Sequence, residues 1–142
     1  MSRPDAPDEG MTALARGSMP LAALLGMEVL GGGPEEVRAR LAWREELCTA
    51  NGVLHGGTLM ALADSTAAVC AFLNLPEGAG TATIESKTNF FAPVRSGHLL
   101  ASSRPLHRGR TTIVVETDLA DDEGRLVGRV TQTQAILEPR QP

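Results

Sequence analysis

Three consecutive residues, His55, Gly56 and Gly57, stand just ahead of a long apolar stretch, and a single carboxylate, Asp64, falls inside that stretch. Glycine lets a ligand come close to the backbone, and the first amides of a helix have no partner within it. If a helix begins here, a carbonyl oxygen set against it would be polarised by free N–H donors and by the helix dipole. That is oxyanion stabilisation without a side chain. The same residues also suit a plain Gly-rich loop leading into a helix. They do not make a phosphate loop, because no Gly-Lys-Ser or Gly-Lys-Thr follows. Asp64 strengthens the chemical reading. A lone acid in a buried helix is paired, protonated or catalytic unless it faces solvent, because an unpartnered buried charge is very costly.

Eight residues separate Gly56 from Asp64, which is about 12 Å along one helix axis at roughly 1.5 Å per residue. One substrate carbonyl cannot contact both. If both act on the same bond they come from different subunits, and a two-fold axis then gives two equivalent shared sites. A homodimer follows from the functional reading.

The elements that must hold these residues are visible in the hydrophobic pattern. Residues 58–73 contain good helix formers, no Pro or Gly, and no charge except Asp64, so they predict a helix covered on several sides. Residues 20–25 predict a short helix that starts at Pro20 and stops at Gly26. Residues 27–30 predict a short strand, and the alternation of Val37, Ala39, Leu41 and Trp43 with Glu36, Arg38 and Arg40 predicts a second. Four more strand-like runs follow at 84–91, 98–106, 110–119 and 125–137. The turn at Arg108 and Gly109 and the turn over residues 121–124 make the last three antiparallel neighbours. The result is an α+β domain, an antiparallel sheet curled round one central helix, spanning residues 11–142 behind a loose polar tail at 1–10.

Composition limits the partners. The 142 residues carry 13 Lys and Arg against 17 Asp and Glu, a formal charge of -4, with no Tyr, three Phe and one Trp. Such a chain lacks the basic surface and the stacking platforms of a nucleic-acid binder. No apolar run reaches a membrane span and the amino terminus has no signal-peptide core, so a cytoplasmic protein is expected. Cys48 and Cys70 form no CxxC pair and read as two buried thiols. His55, His98 and His107 lack metal-site spacing, and no metal is expected. Within this acidic chain, residues 86–115 hold Lys87, Arg95, Arg104, Arg108 and Arg110 and no acid. Such a strip suits an anionic handle such as a phosphate, although a solvated hairpin would also carry such charges.

His55, Gly56, Gly57 and Asp64, opening a small-residue helix and followed by Phe90, Phe91, Ala92, Pro93, Val94, Arg95, Ser96 and Gly97, resemble the hotdog-fold acyl-CoA thioesterases of the PaaI-like and 4-hydroxybenzoyl-CoA type. The likeness covers about residues 20–137. It implies a hotdog fold, dimers that pair their sheets edge to edge, and dimers that associate into homotetramers. It further implies that Asp64 acts as base or nucleophile while the Gly56 amide polarises the thioester carbonyl from the neighbouring subunit. By the same resemblance His55 shapes the loop and contacts the thioester, and Thr83 stands where related enzymes place a hydroxyl that orients water. The family Asn falls three residues before Gly52, at Thr49 here, whereas Asn51 directly precedes Gly52, so either residue is a candidate for its role. Coenzyme A contacts are implied at Arg95 and at the turn of His107, Arg108, Gly109 and Arg110, with coenzyme A entering as part of the substrate and no separate cofactor. Two alternatives use the same fold: a module that binds acyl-CoA without turnover, and an enoyl-thioester hydratase or dehydratase. The hydratase pattern of closely spaced Asp and His is absent. No GxSxG or HExxH motif offers other hydrolytic chemistry.

Overall fold

A computed structural model describes residues 6–139. In chain order the elements are α1 (Glu9–Ser18), α2 (Pro20–Leu25), β1 (Glu28–Gly33), β2 (Glu36–Ala42), α3 (Gly56–Phe72), β3 (Gly80–Phe90), β4 (His98–Arg108), β5 (Thr112–Ala120) and β6 (Leu126–Leu137). Two short 3-10 turns, Glu45–Leu47 and Ala50–Gly52, lead into α3. The six strands form one antiparallel sheet in the order β1-β2-β4-β5-β6-β3. This is the hotdog arrangement, with α3 as the filling: it packs against β2, β3, β4, β5 and β6.

The sheet covers most of the helix because nearly all of its side chains are apolar or small, while Met60 and Phe72 stay exposed. Leu59, Leu62, Ala63, Ala67, Cys70 and Ala71 are all buried, together with Leu41, Leu99, Ile113, Val115 and Leu119 from the strands. Small residues at 63, 67 and 71 let the sheet come close, and the alternating burial of β4 and β5 supplies a continuous apolar inner face.

Residues 8–10 differ from the loose tail expected over 1–10. Residues 1–5 lie outside the described part, but Asp8 accepts a hydrogen bond from the Met11 amide at 2.9 Å and caps a helix that begins at Glu9. That helix is fixed to β1. The Thr12 hydroxyl accepts from the Val29 amide at 2.9 Å, and Arg16 Nε donates to the Met27 carbonyl at 2.8 Å. A run of polar residues concealed this element because its inward-facing positions are as small as Thr12 and Ala15.

The two edges of the sheet are unlike each other. At the β1 edge a register shift falls between Val29 and Gly31, and Gly32 has φ 145. A Cβ at Gly32 would stand 2.3 Å from the Glu36 carbonyl oxygen, so only glycine is tolerated. The β3 edge is 11 residues long and exposed along most of its length, Ile84 and Phe90 included. Natural proteins seldom leave such a strand unpaired.

The thiols also differ from the expectation that both are buried. Cys70 is buried on α3 and burial pushes its thiol up to about 11, whereas Cys48 is only partly buried.

Candidate active site

At the start of α3, His55 is the N-cap residue, and its Nδ1 accepts a hydrogen bond from the Gly57 amide at 2.8 Å. Accepting through Nδ1 places the ring proton on Nε2, which is left to donate outward. The Thr58 amide donates to the His55 carbonyl at 2.8 Å and the Thr58 hydroxyl to the Leu47 carbonyl at 2.9 Å. Of the first three helical amides, Gly56 alone has no acceptor among the described residues. A Cβ at Gly57 would stand 3.0 Å from His55 Nδ1, and one at Gly56 would stand 3.1 Å from Phe90 Cζ. A side chain at either glycine would press on the ring folded over it. An open apolar cleft of about 400 Å³ adjoins Gly56, walled by Thr49, Leu59, Phe90, Phe91 and Pro93. Of the two candidates for the family Asn, Thr49 borders this cleft. Asn51 forms a turn instead, with φ 66 followed by Gly52 at φ 70, and its side chain makes no hydrogen bond among the described residues.

Two turns farther along, Asp64 is half-buried and held by neutral donors. The Thr83 hydroxyl donates to Asp64 Oδ1 at 2.8 Å, and Gln132 Nε2 donates to the same oxygen at 2.9 Å. Oδ2 accepts nothing among the described residues. Thr83 and Asp64 were candidates from the sequence and are in direct contact. Gln132 was not, and neither was Gln134, whose Nε2 donates to the Thr83 hydroxyl at 2.9 Å. A signal for both lies in strand parity: Gln132 and Gln134 fall in step with the buried Val130, so β6 turns all three towards α3.

Asp64 and Gly56 belong to one unbroken helix, so the separation of about 12 Å stands. Each has its own surroundings on β3. Asp64 meets Thr83 in the first half of the strand, and Gly56 meets Phe90 at its end. A second apolar groove, of about 500 Å³, opens where the curled sheet fails to close over α3. It runs past Ala68, one turn beyond Asp64, and Thr81, two residues before Thr83, with Met11, Leu14 and Phe72 as further walls.

The basic residues do not form one patch. Arg95 lies just before β4 and Arg108 closes it, so the strand's 11 residues, about 35 Å, part them. Arg104 is paired with Glu116 at 2.6 Å and Asp118 at 3.3 Å, Arg108 with Glu35 at 2.6 Å, and Lys87 donates to Asn89 at 2.6 Å. Arg95 and Arg110 make no ion pair among the described residues, although the acidic turn residues Asp121, Asp122 and Glu123 share a cleft with Arg95. Acids that lie outside the strip in the chain thus pair with two of its five cations, Arg104 and Arg108. His107 is exposed at the β4–β5 turn, where a Cβ at Gly109 would stand 2.7 Å from His107 Nε2 and 3.0 Å from the Thr112 carbonyl oxygen. No group of three or more potential metal ligands occurs among the described residues, and none of their helices is long and apolar enough to cross a membrane.

Residues 51–128 match the thioesterase superfamily. The Mycobacterium tuberculosis protein named "Putative esterase Rv1847" is 33% identical over 126 residues, covering 87% of this chain and 90% of the relative. A crystal structure of the Haemophilus influenzae thioesterase HI1161 superposes with a TM-score of 0.87 at 27% identity, over 94% of this chain and 92% of that one. The Klebsiella pneumoniae proofreading thioesterase EntH is 35% identical over 74 residues, 52% of this chain and 54% of that protein. With a free helix-end amide, a carboxylate held by neutral donors, and a sheet wrapped round the helix that carries both, the chain belongs to the thioesterase superfamily and is a thioester hydrolase of hotdog fold.

Proposed function

We propose that the protein hydrolyses acyl-CoA thioesters at two equivalent sites, each built from Asp64 of one protomer and Gly56 of its partner. The observation that carries this reading is the position of the two groups along β3. Two copies of that long exposed edge, set antiparallel, bring the first half of one against the second half of the other. Thr83 with Asp64 then faces the end where the other chain holds Phe90 and Gly56. The β1 edge, bent by its glycines, offers no comparable surface.

In this site the thioester carbonyl oxygen accepts from the Gly56 amide, with the helix dipole behind it. Asp64 Oδ2 takes a proton from water while the water oxygen bonds to the carbonyl carbon. Collapse of the tetrahedral intermediate breaks the C–S bond, and the departing thiolate recovers the proton from Asp64. In the nucleophilic variant, Oδ2 itself bonds to the carbonyl carbon and expels the thiolate, and water then opens the anhydride. His55 Nε2–H is directed outward beside Gly56, where it can donate to the carbonyl oxygen or to sulfur. The groove past Ala68 and Thr81 takes the acyl group, since it is apolar and comes within one helical turn of Asp64. For the phosphates of coenzyme A the arginines of the basic strip without an ion pair among the described residues are Arg95 and Arg110. Their separation in one chain means that a shared site draws them from different protomers.

The test is thiol release from a panel of aryl-, short-, medium- and long-chain acyl-CoA esters, followed by mixing of two inactive variants. Asp64→Asn and Gly56→Val subunits, unfolded and refolded together, form about half mixed dimers, each with one intact site, so about a quarter of wild-type activity returns. Mixing that restores nothing, while both variants stay folded and dimeric, sinks the shared site. A wild-type protein that cleaves other thioesters and leaves every acyl-CoA intact sinks the substrate assignment.

A further inference from the structure

Gln132 and Gln134 are among the largest side chains of the interior, 0% and 1% exposed, on the inner face of β6. Burying two amides is costly unless they are satisfied, and one of these is not: Gln132 Oε1 is enclosed without a hydrogen-bond partner. An apolar residue would fill that position at less cost, so packing does not explain Gln132. Its Nε2, however, donates to Asp64 Oδ1.

Gln134 acts one step farther out. The Thr81 hydroxyl has two acceptors for its one proton, the Ala135 carbonyl at 2.9 Å and Gln134 Oε1 at 3.1 Å, while Gln134 Nε2 points to the Thr83 oxygen at 2.9 Å. Thr83 has one hydroxyl proton. With Gln134 Nε2 donating into a lone pair of that oxygen, the proton is turned to Asp64 Oδ1. The donors therefore run in one direction, from Gln134 to Thr83 to Asp64, and each bond polarises the next. Gln132 meets the same oxygen from the other side. Both routes end on Oδ1, and Oδ2 is left free at a fixed orientation.

We infer that Gln132 and Gln134 are positioning residues that lock the Asp64 carboxylate by Oδ1 and aim Oδ2 at the reacting carbon. This inference rests on Asp64 being the reacting acid, as proposed above. It places two determinants of turnover on a strand that lines neither apolar groove, 68 residues from the acid in the case of Gln132.

The experiment compares Asp64→Asn, Gln132→Leu and Gln134→Leu with wild type, using the acyl-CoA ester that wild type cleaves fastest, with kcat, KM and melting temperature read for each. Gln132→Leu should keep or raise the melting temperature, leave KM within about twofold, and lower kcat at least about tenfold, because a loosened acid spends less time in the reactive orientation. Gln134→Leu should lower kcat by a smaller factor, as Thr83 remains. A merely structural pair would give the reverse, a lower melting temperature with kcat unchanged, and that result overturns the inference. Asp64→Asn at wild-type rate overturns both this and the reading on which it rests. Loss of activity in Asp64→Asn with full activity in Gln132→Leu overturns the positioning role alone.

Discussion

The two reactive points of α3 are made in opposite ways. At the amino-terminal end, the cap bond joins His55 to a residue two positions away, and the free amide is a property of helix geometry. In the middle of the helix, Asp64 is held by residues 19 and 68 positions away, on an edge strand and its neighbour. The first site is local and forms wherever the helix forms. The second exists only when β3 and β6 are in register. One helix can therefore present a polarising donor and a reactive acid that respond to different insults.

Substitutions at the two points should separate these dependences. The largest effect is expected from Asp64→Asn, which preserves shape and hydrogen-bond acceptance at Oδ1 while removing the charge. Thiol release should fall by about a thousandfold with the melting temperature almost unchanged. Next comes Gly56→Val, whose branched side chain must displace the Phe90 ring 3.1 Å away and block the amide. A loss of about a hundredfold in kcat/KM is expected, on the scale of one oxyanion donor. Equal losses in both variants would remove the distinction between acid and donor.

His55→Ala tests how local the first site is. It deletes the N-cap acceptor, so stability should fall by about 1 kcal/mol in urea unfolding. Gly57 is then relieved of its contact with the ring, and the geometry around Asp64 should persist. A crystal structure of the variant with Thr83 and Gln132 still on Oδ1 would support that independence, and a disordered Asp64 would break it.

The smallest effect concerns an acid on the opposite, outer face of the sheet. Burial by itself would raise the Asp118 carboxyl, but hydrogen bonds and charge from Arg129, with Arg104 beyond, hold it below the ordinary 3.8. A carboxyl lowered on folding contributes stability above its unfolded value, and that contribution is lost as pH falls through the folded value. Asp118→Asn should therefore be slightly less stable than wild type at pH 7, with the difference shrinking as pH falls below about 4 and gone below the lowered folded value. Its thiol-release activity should be unchanged. Asp64 has no cation on it among the described residues, and this contrast between the two acids is what Asp118→Asn isolates.

Much of this architecture was legible in the chain. The central helix and all six strands lie within a few residues of the positions that periodicity indicates, because α3 is apolar all round and β2, β4 and β5 alternate with period two. Other features were hidden. The polar start of α1 looked like a continuation of the tail, since its buried positions are Thr12 and Ala15. Gln132 and Gln134 sit in a run of Thr and Gln that reads as a wet strand face until β6 is placed against α3. The basic strip looked continuous because Glu116 and Glu35, which pair with Arg104 and Arg108, fall outside it in the chain.

By itself the sequence determined the local features: where the helix begins, that Gly56 has a free amide, and that Asp64 is too far from it to share a carbonyl. Those follow from spacing and from the bonding rules of a helix. Only the tertiary structure decided which strands border Asp64, that its partners are neutral, and which edge of the sheet lies open. Such contacts join residues distant in the chain, and they are set by which apolar faces close over one another. The pattern within any single element does not contain that information.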